Sequence, residues 1–217
     1  MLGKRLTAIL SHTKGSVTLA DIGCDHGMLT MSVLKSGYAQ KVIATDVSDK
    51  SLSKARTLIG DSNVFDRVEF RCGDGLRVLK KDEVDTVVIS GMGGREIVKI
   101  LSDVDFKVDR LILSPQSDVS HVRKYLIAHG YRLNYDYVLK DSKFYWVIVA
   151  EIGSDVYTDL EYEFGRDNLS GKYPEFIEWL DLEIKRFENI ISVTQNAETV
   201  AQFLKEKERF EKVKNTL

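Results

Sequence analysis

Cysteine is scarce in this chain: Cys24 and Cys72 stand 48 positions apart, with no CxxC motif and no neighbouring histidine cluster. That excludes a disulfide scaffold and leaves no zinc-ligand spacing, so no metal is expected. Long apolar runs are missing too. The longest, 87–89 and 146–150, are strand-length, and Lys4, Arg5 and Thr7 interrupt the first ten residues. Neither a membrane span nor a signal peptide is expected, and the chain reads as intracellular and cytoplasmic. A strong charge of one sign is also lacking. The net charge of −2 divides into 22 basic against 19 acidic residues through residue 152 and 9 against 14 beyond it. A mildly basic first part can face a polyanion, but it is not the basic stripe of a dedicated nucleic-acid binder. Internal repeats and low-complexity segments are absent.

With 217 residues, 43% hydrophobic and 29% charged, the chain has the composition of a folded protein and the length of one domain plus an appendage. Seven β-rich runs lie near 17–23, 41–47, 67–73, 84–91, 109–114, 131–139 and 143–152. Helical periodicity occupies 27–36, 48–59, 95–101 and 117–129. This alternation predicts a parallel sheet with crossover helices. Ser48 is the expected N-cap of its helix, Ser117 and Asp118 open another, and Gly37 and Gly130 stand at helix ends. Only residues 140–142 separate the last two strands, too few for a crossover, so those strands must pair antiparallel. A seven-stranded sheet closed by such a hairpin has the pattern of an α/β, Rossmann-like, class I S-adenosylmethionine (SAM) methyltransferase. A Rossmann-like domain over 1–152 is therefore expected, followed by a helical domain over 153–217. In the latter, an acidic connector leads into apolar stripes at 174–191 (Phe176, Leu180, Ile184, Phe187, Ile191) and 197–216 (Ala197, Val200, Ala201, Leu204, with Phe203, Phe210 and Leu217 on a heptad step). Two such stripes predict an antiparallel α-helical hairpin, or coiled coil, held mainly by burying one stripe on the other.

The densest chemical signal is Asp21-Ile22-Gly23-Cys24-Asp25-His26-Gly27, at the end of the first strand. Glycine there lets backbone approach a ligand. A dinucleotide fingerprint would need glycine at Asp25 and Met28 as well, and acids at Asp21 and Asp25 would repel a pyrophosphate. They suit a cofactor carrying a sulfonium and an ammonium. A plain strand-to-helix turn is the competing reading. Asp46, followed by Val47, ends the second strand, where a carboxylate can accept from both ribose hydroxyls of a nucleoside or can simply start a helix. Gly73-Asp74-Gly75 adds a third acid at the same sheet edge, suited to an adenine amino group, or makes a turn. Ser90-Gly91-Met92-Gly93-Gly94-Arg95 ends the fourth strand and should face the transferred methyl and its acceptor. Gln116, in Ser114-Pro115-Gln116, is a base-edge candidate. Arg95 can meet a phosphate or stay solvated, and His26 can act as a base or orient its loop.

The order DIGCDHG, ATD, GDGL, SGMGG, LILSPQ, then a hairpin ending FYWVIVAE and a helical pair, resembles the TrmK family of bacterial tRNA (adenine-N1)-methyltransferases over nearly the whole chain. The resemblance implies SAM as methyl donor, adenine 22 of tRNA as acceptor, and tRNA held partly by the helical addition. Where the family pattern has Ala-Tyr-Leu-Pro, this chain has Gly27-Met28-Leu29-Thr30, so Met28 offers a softer contact than an aromatic ring. The expected catalytic set is Asp25, Ser90, Gly91, Met92 and Gln116. The cofactor set is Asp21, Gly23, Cys24, Asp25, His26, Gly27, Asp46, Val47, Gly73, Asp74, Gly75, Ser90, Gly91 and Met92. Substrate contacts are assigned to Met28, Arg95, Lys4 and Arg5, with Lys14, Lys205, Lys207, Arg209, Lys212 and Lys214 as further candidate cations. A monomer or weak dimer is expected. Methylation of a small molecule or protein, and a catalytically silent nucleotide-binding module, are the alternatives.

Overall fold

Residues 2–171 and 173–217 are described by the structure, a computed structural model. In chain order the elements are α1 (Lys4–His12), β1 (Ser16–Ile22), α2 (Met28–Lys35), β2 (Ala39–Asp46), α3 (Asp49–Gly60), β3 (Val68–Cys72), β4 (Thr86–Ser90), α4 (Gly94–Ser102), β5 (Arg110–Ser114), α5 (Val119–Ala128), β6 (Tyr131–Lys140) and β7 (Phe144–Ile152). There follow α6 (Asp159–Phe164), α7 (Arg166–Gly171), α8 (Pro174–Val193) and α9 (Ala197–Thr216). The sheet runs β3-β2-β1-β4-β5-β7-β6. Its first five strands are parallel, and β7 is antiparallel to both neighbours. This is the Rossmann-like arrangement that the strand spacing predicts.

Side-chain alternation explains the layers. Val87 and Ile89 of β4 face a core with Leu111, Leu113, Ile97, Ile100 and Leu126, whereas Val88 and Ile112 face the other side with Leu19, Val42, Ile9, Leu29 and Val33. Strands apolar on both faces need helices on both, which is why the central strands read as continuous hydrophobic runs. Strand order reverses at β1, with β2 on one flank and β4 on the other. The carboxyl ends there diverge into a crevice, the ligand position of open α/β sheets.

The predicted caps divide. Ser48 accepts from Ser51 N–H at the start of α3, and Gly37 and Gly130 take the left-handed conformation at helix ends. Asp118 opens α5 with φ +50° and no side-chain cap bond, because its carboxylate turns to Arg95 and Ser117.

Three features lie outside the sequence reading. Helix α1 is one; it buries Ile9 against the sheet, and the Arg5 amide in its first turn donates to Asp141, 136 residues away. The second is a register shift in β6 between Leu133 and Tyr135. Such a bulge exchanges the faces of every residue beyond it. Tyr131 and Leu133 therefore pack with α4 and α5, whereas Tyr137 and Leu139 pack on the α1 side. The same reversal turns Asp136 onto Arg123 of α5 (Nε to Oδ2 2.8 Å), with both side chains essentially sealed from solvent. The third is the acidic connector, which folds into α6, started by a Thr158–Glu161 capping box, and α7. The carbonyls of Tyr162 and Glu163 accept from Arg123. Asp167 and Asn168 take the Asp136 and Val138 amides of the edge strand β6.

The helical hairpin forms as α8 and α9, but its burial differs from the expected stripes. Ala197, Ala201 and Leu204 are exposed. The buried cluster lies at the root, where Phe176, Leu180, Phe187, Phe210 and Val213 pack with Val138, Trp146 and Phe164. The hairpin is thus held by the sheet edge and Phe164 of α6 as well as by its own helices.

Candidate active site

A cleft of about 520 Å³ opens at the carboxyl ends of β1, β2 and β4. Of the residues singled out in the sequence, it is lined by Asp21, Gly23, Cys24, Asp25, His26, Met28, Asp46, Val47, Gly73, Asp74, Gly75, Ser90, Gly91, Met92, Gln116 and Arg5. Lys4, Gly27 and Arg95 are not among its walls. A Cβ on Gly27 would press on Ala55 at 2.8 Å, so that glycine serves the approach of α3. Arg95 points outward with its side chain 82% exposed and pairs with Asp118 at 3.2 Å, which holds that carboxyl below its usual range.

The first wall is an acid-rimmed loop. Gly23 (φ +69°) and Asp25 (φ +49°) carry the chain through the left-handed region, a conformation that glycine and, among other residues, Asp and Asn adopt most readily. The Asp46 carboxylate accepts from Asp25 N–H at 3.1 Å and Ser48 N–H at 2.8 Å, tying the loops after β1 and β2 together. Each oxygen still has a lone pair for a ligand. Asp21 is buried and accepts from the Thr30 hydroxyl at 2.7 Å. Desolvation, more than the hydrogen bonds to Thr30 offset, raises its carboxyl to about 6. Burial, followed by its acidic neighbours, pushes the Cys24 thiol up and keeps it protonated. That environment gives it no nucleophilic role. His26 sits at the rim, its Nε2 3.0 Å from Lys54 Nζ and 3.4 Å from Asp25.

The opposite wall is the 90–94 loop, locked to the loop after β5. Gly91 N–H donates to Ser114 O, Gln116 N–H to Met92 O, and Gln116 Nε2 to Gly91 O at 2.9 Å. Gln116 therefore holds this loop as well as facing the cleft. A Cβ on Gly23 would overlap the Met92 methyl, so Met92 reaches across to the first wall. A Cβ on Gly94 would press on the Ser117 carbonyl at 2.5 Å. Glycine is required there for the two loops to close up.

The assigned site sets left out six lining residues, Leu6, Ile22, Leu29, Thr45, Glu96 and Ile100, of which Ile22, Leu29 and Thr45 lie within the quoted motifs. The hydroxyl of Thr45 is buried without a hydrogen-bond partner, a cost that a ligand's polar group would remove. Its place one residue before Asp46 at a strand end was the available signal. Leu6 could not be found without α1. Among the described residues no cluster of three His, Cys, Asp or Glu could hold a metal, and no helix is long and apolar enough to cross a membrane.

Residues 2–149 match the family described as methyltransferase domain. The chain is 35% identical over 156 residues to the tRNA (adenine(22)-N(1))-methyltransferase of Bacillus subtilis, an alignment spanning 70% of this chain and 66% of that relative's length. The structure of Mycoplasma capricolum TrmK with S-adenosyl-homocysteine is 25% identical, with TM-score 0.90, covering 100% of this chain and 99% of that one. A putative tRNA (m1A22) methyltransferase of Streptococcus pneumoniae, solved with S-adenosyl-L-methionine, is 25% identical, with TM-score 0.89, covering 98% and 99%. The match to the domain and the likeness over the full length agree with the carboxylate-rimmed cleft: the chain belongs to the methyltransferase-domain family and, within it, to the TrmK family.

Proposed function

We propose that this protein is a SAM-dependent tRNA (adenine-N1)-methyltransferase that modifies adenine 22. The observation that carries the reading is the pairing of the two walls. Carboxylates of Asp21, Asp25, Asp46 and Asp74 stand on one side, and a clamped, glycine-rich loop on the other. The residues present fit the cofactor. Asp46 suits the ribose hydroxyls, Asp74 the adenine amino group and Asp21 with Asp25 the ammonium and sulfonium charge, while Gly23, Cys24, His26, Val47, Gly73 and Gly75 supply the surrounding backbone. When bound, SAM supplies an electrophilic methyl group.

The rest is done by this chain. N1 of adenine has its own lone pair, so alignment matters more than a strong base, with reacting atoms at roughly 3–3.5 Å. Ser90, Gly91, Met92 and Gln116 orient the acceptor base, and their loop cannot drift because Gln116 bridges it to the neighbouring strand end. Methylation makes the ring cationic, and Asp25 or Asp74 offsets that charge. His26 orients the Asp25 loop. N1 lies on the Watson–Crick edge, so the base must leave its stack, at a cost of a few kcal/mol.

Residues 1–152 carry cofactor and chemistry and 153–217 form the tRNA-gripping addition; the protein works in the cytoplasm as a monomer or weak dimer. Incubation with labelled SAM and unmodified tRNA tests the function. Label at N1 of adenine 22, absent when that position is changed, is the expected result. Label elsewhere, or on protein or small molecules alone, would overturn it.

A further inference from the structure

The flanking phosphates of an extruded nucleotide need cations that are not already neutralised. Four of the nine candidate cations fail that condition. Arg95 is paired with Asp118, Lys207 with Glu188, Arg209 with Glu163 and Glu206, and Lys214 with Asp181. Among the described residues, Arg5 and Lys143, like Lys4, Lys14, Lys205 and Lys212, form no salt bridge, but these two sit together against one aromatic ring. The Arg5 guanidinium carbon lies 5.0 Å and the Lys143 ammonium 5.4 Å from the Tyr145 ring centroid. This bracing is built in three ways. Asp141 accepts the Arg5 amide at 3.2 Å and so pins α1 to the β6–β7 turn. Asp141 N–H donates to Lys143 O, closing that turn. Ser142 Oγ and Tyr145 OH are 3.0 Å apart, fixing the ring. Arg5 also reaches the acceptor wall, where its Nη1 lies 3.7 Å from the point a Cβ on Gly91 would occupy.

We propose that Arg5 and Lys143, braced on Tyr145, form the docking pair for the RNA phosphodiesters flanking the methylated adenosine. This deepens the functional reading above and rests on it. Arg5 takes the phosphate nearest the cleft, because a planar guanidinium offers bidentate bonds to phosphate oxygens. Lys143, on the β6–β7 turn, extends the contact outward toward the helical hairpin.

The test compares the intact enzyme with Arg5→Ala, Lys143→Ala, the double variant and Arg5→Lys, measuring tRNA KM and kcat across a salt series, with SAM affinity by calorimetry. Each lost phosphate contact lowers the slope of log affinity against log salt by about 0.7–0.9. Each alanine variant should raise tRNA KM about tenfold with a smaller change in kcat, and lower the slope by about one contact. Arg5→Lys should restore the slope and only part of the KM. Unchanged KM and slope in the double variant would overturn the proposal, as would a loss of SAM affinity matching the loss in KM. A wild-type enzyme that leaves adenine 22 unmodified would overturn the functional reading itself, which separates the two failures.

Discussion

The sheet and the helical hairpin are stabilised in opposite ways. The sheet is sealed by apolar cores on both faces, and four carboxylates at its mouth, those of Asp21, Asp25, Asp46 and Asp74, line one cleft. The hairpin has one aromatic cluster at its root, around Phe164, Phe176, Phe187 and Phe210, and beyond it carries exposed ion pairs such as Lys207–Glu188, which contribute little. Concentrated like charge beside a site creates a field for a ligand of opposite sign, whereas alternating paired charge creates little. The mouth of the sheet therefore suits a ligand of positive charge, and the outer hairpin presents no such field. What transmits position between them is the root, where Arg123, Asp136 and the carbonyls of α6 meet.

The largest test strikes that root. Asp136→Asn strands a guanidinium with no exposure to water, and removing one partner of a buried pair costs about 3–5 kcal/mol. Urea unfolding should show that loss. A change under about 1 kcal/mol would mean that the joint is not held by the pair. Next, Phe210→Ala empties the aromatic cluster and should cost about 3 kcal/mol. It should also raise tRNA KM while SAM affinity holds; equal damage to both would erase the division of labour between the regions.

A third test moves to the cleft. Asp46→Ala removes two charge-assisted bonds to loop amides, each of the kind worth roughly 1.5–3 kcal/mol. SAM affinity should fall by about one to two orders of magnitude in calorimetry, and the unfolding midpoint should fall as well because the two loop amides lose their acceptor.

The fourth uses pH. Asp21 has a folded-state value of about 6 against an ordinary 3.8, so the folded protein holds that proton more tightly than the unfolded chain. Its contribution to stability is present below about 4 and is lost as pH rises through 6. Affinity for the cationic cofactor should run the other way, climbing several-fold from pH 5 to 7. Calorimetry on Asp21→Asn should show that rise flattened. Smallest of all, Lys207→Ala breaks an exposed pair and should leave the thermal midpoint unmoved within error. A clear drop would show that the outer hairpin depends on charge.

Much of the sheet and of the acid-rimmed loops is legible along the chain, because strand periodicity and turn glycines are local properties. Asp46 and Gly23 announce themselves by standing at strand ends. The β6 bulge does not, since Asn134 differs from its neighbours only in the register it forces across to β7. Nor does Arg5, whose place depends on Asp141 capping a helix from the far end of the domain. The apolar stripe of α9 misleads for a related reason. Helical spacing says which residues share a face, but not whether anything covers it, and Ala197, Ala201 and Leu204 face solvent.

By itself the order of amino acids determined a seven-stranded sheet with a terminal antiparallel hairpin, carboxylates and glycines at its strand ends, and two helices after it. Those are consequences of side-chain period, loop length and backbone freedom, each read within a few residues. Only the tertiary structure decided which cations remain unpaired, which side of β6 carries Asp136, and that the hairpin is rooted on the sheet. Those outcomes depend on partners more than 100 residues apart for Arg5 and on a register set between strands, and long-range pairing leaves no local signature.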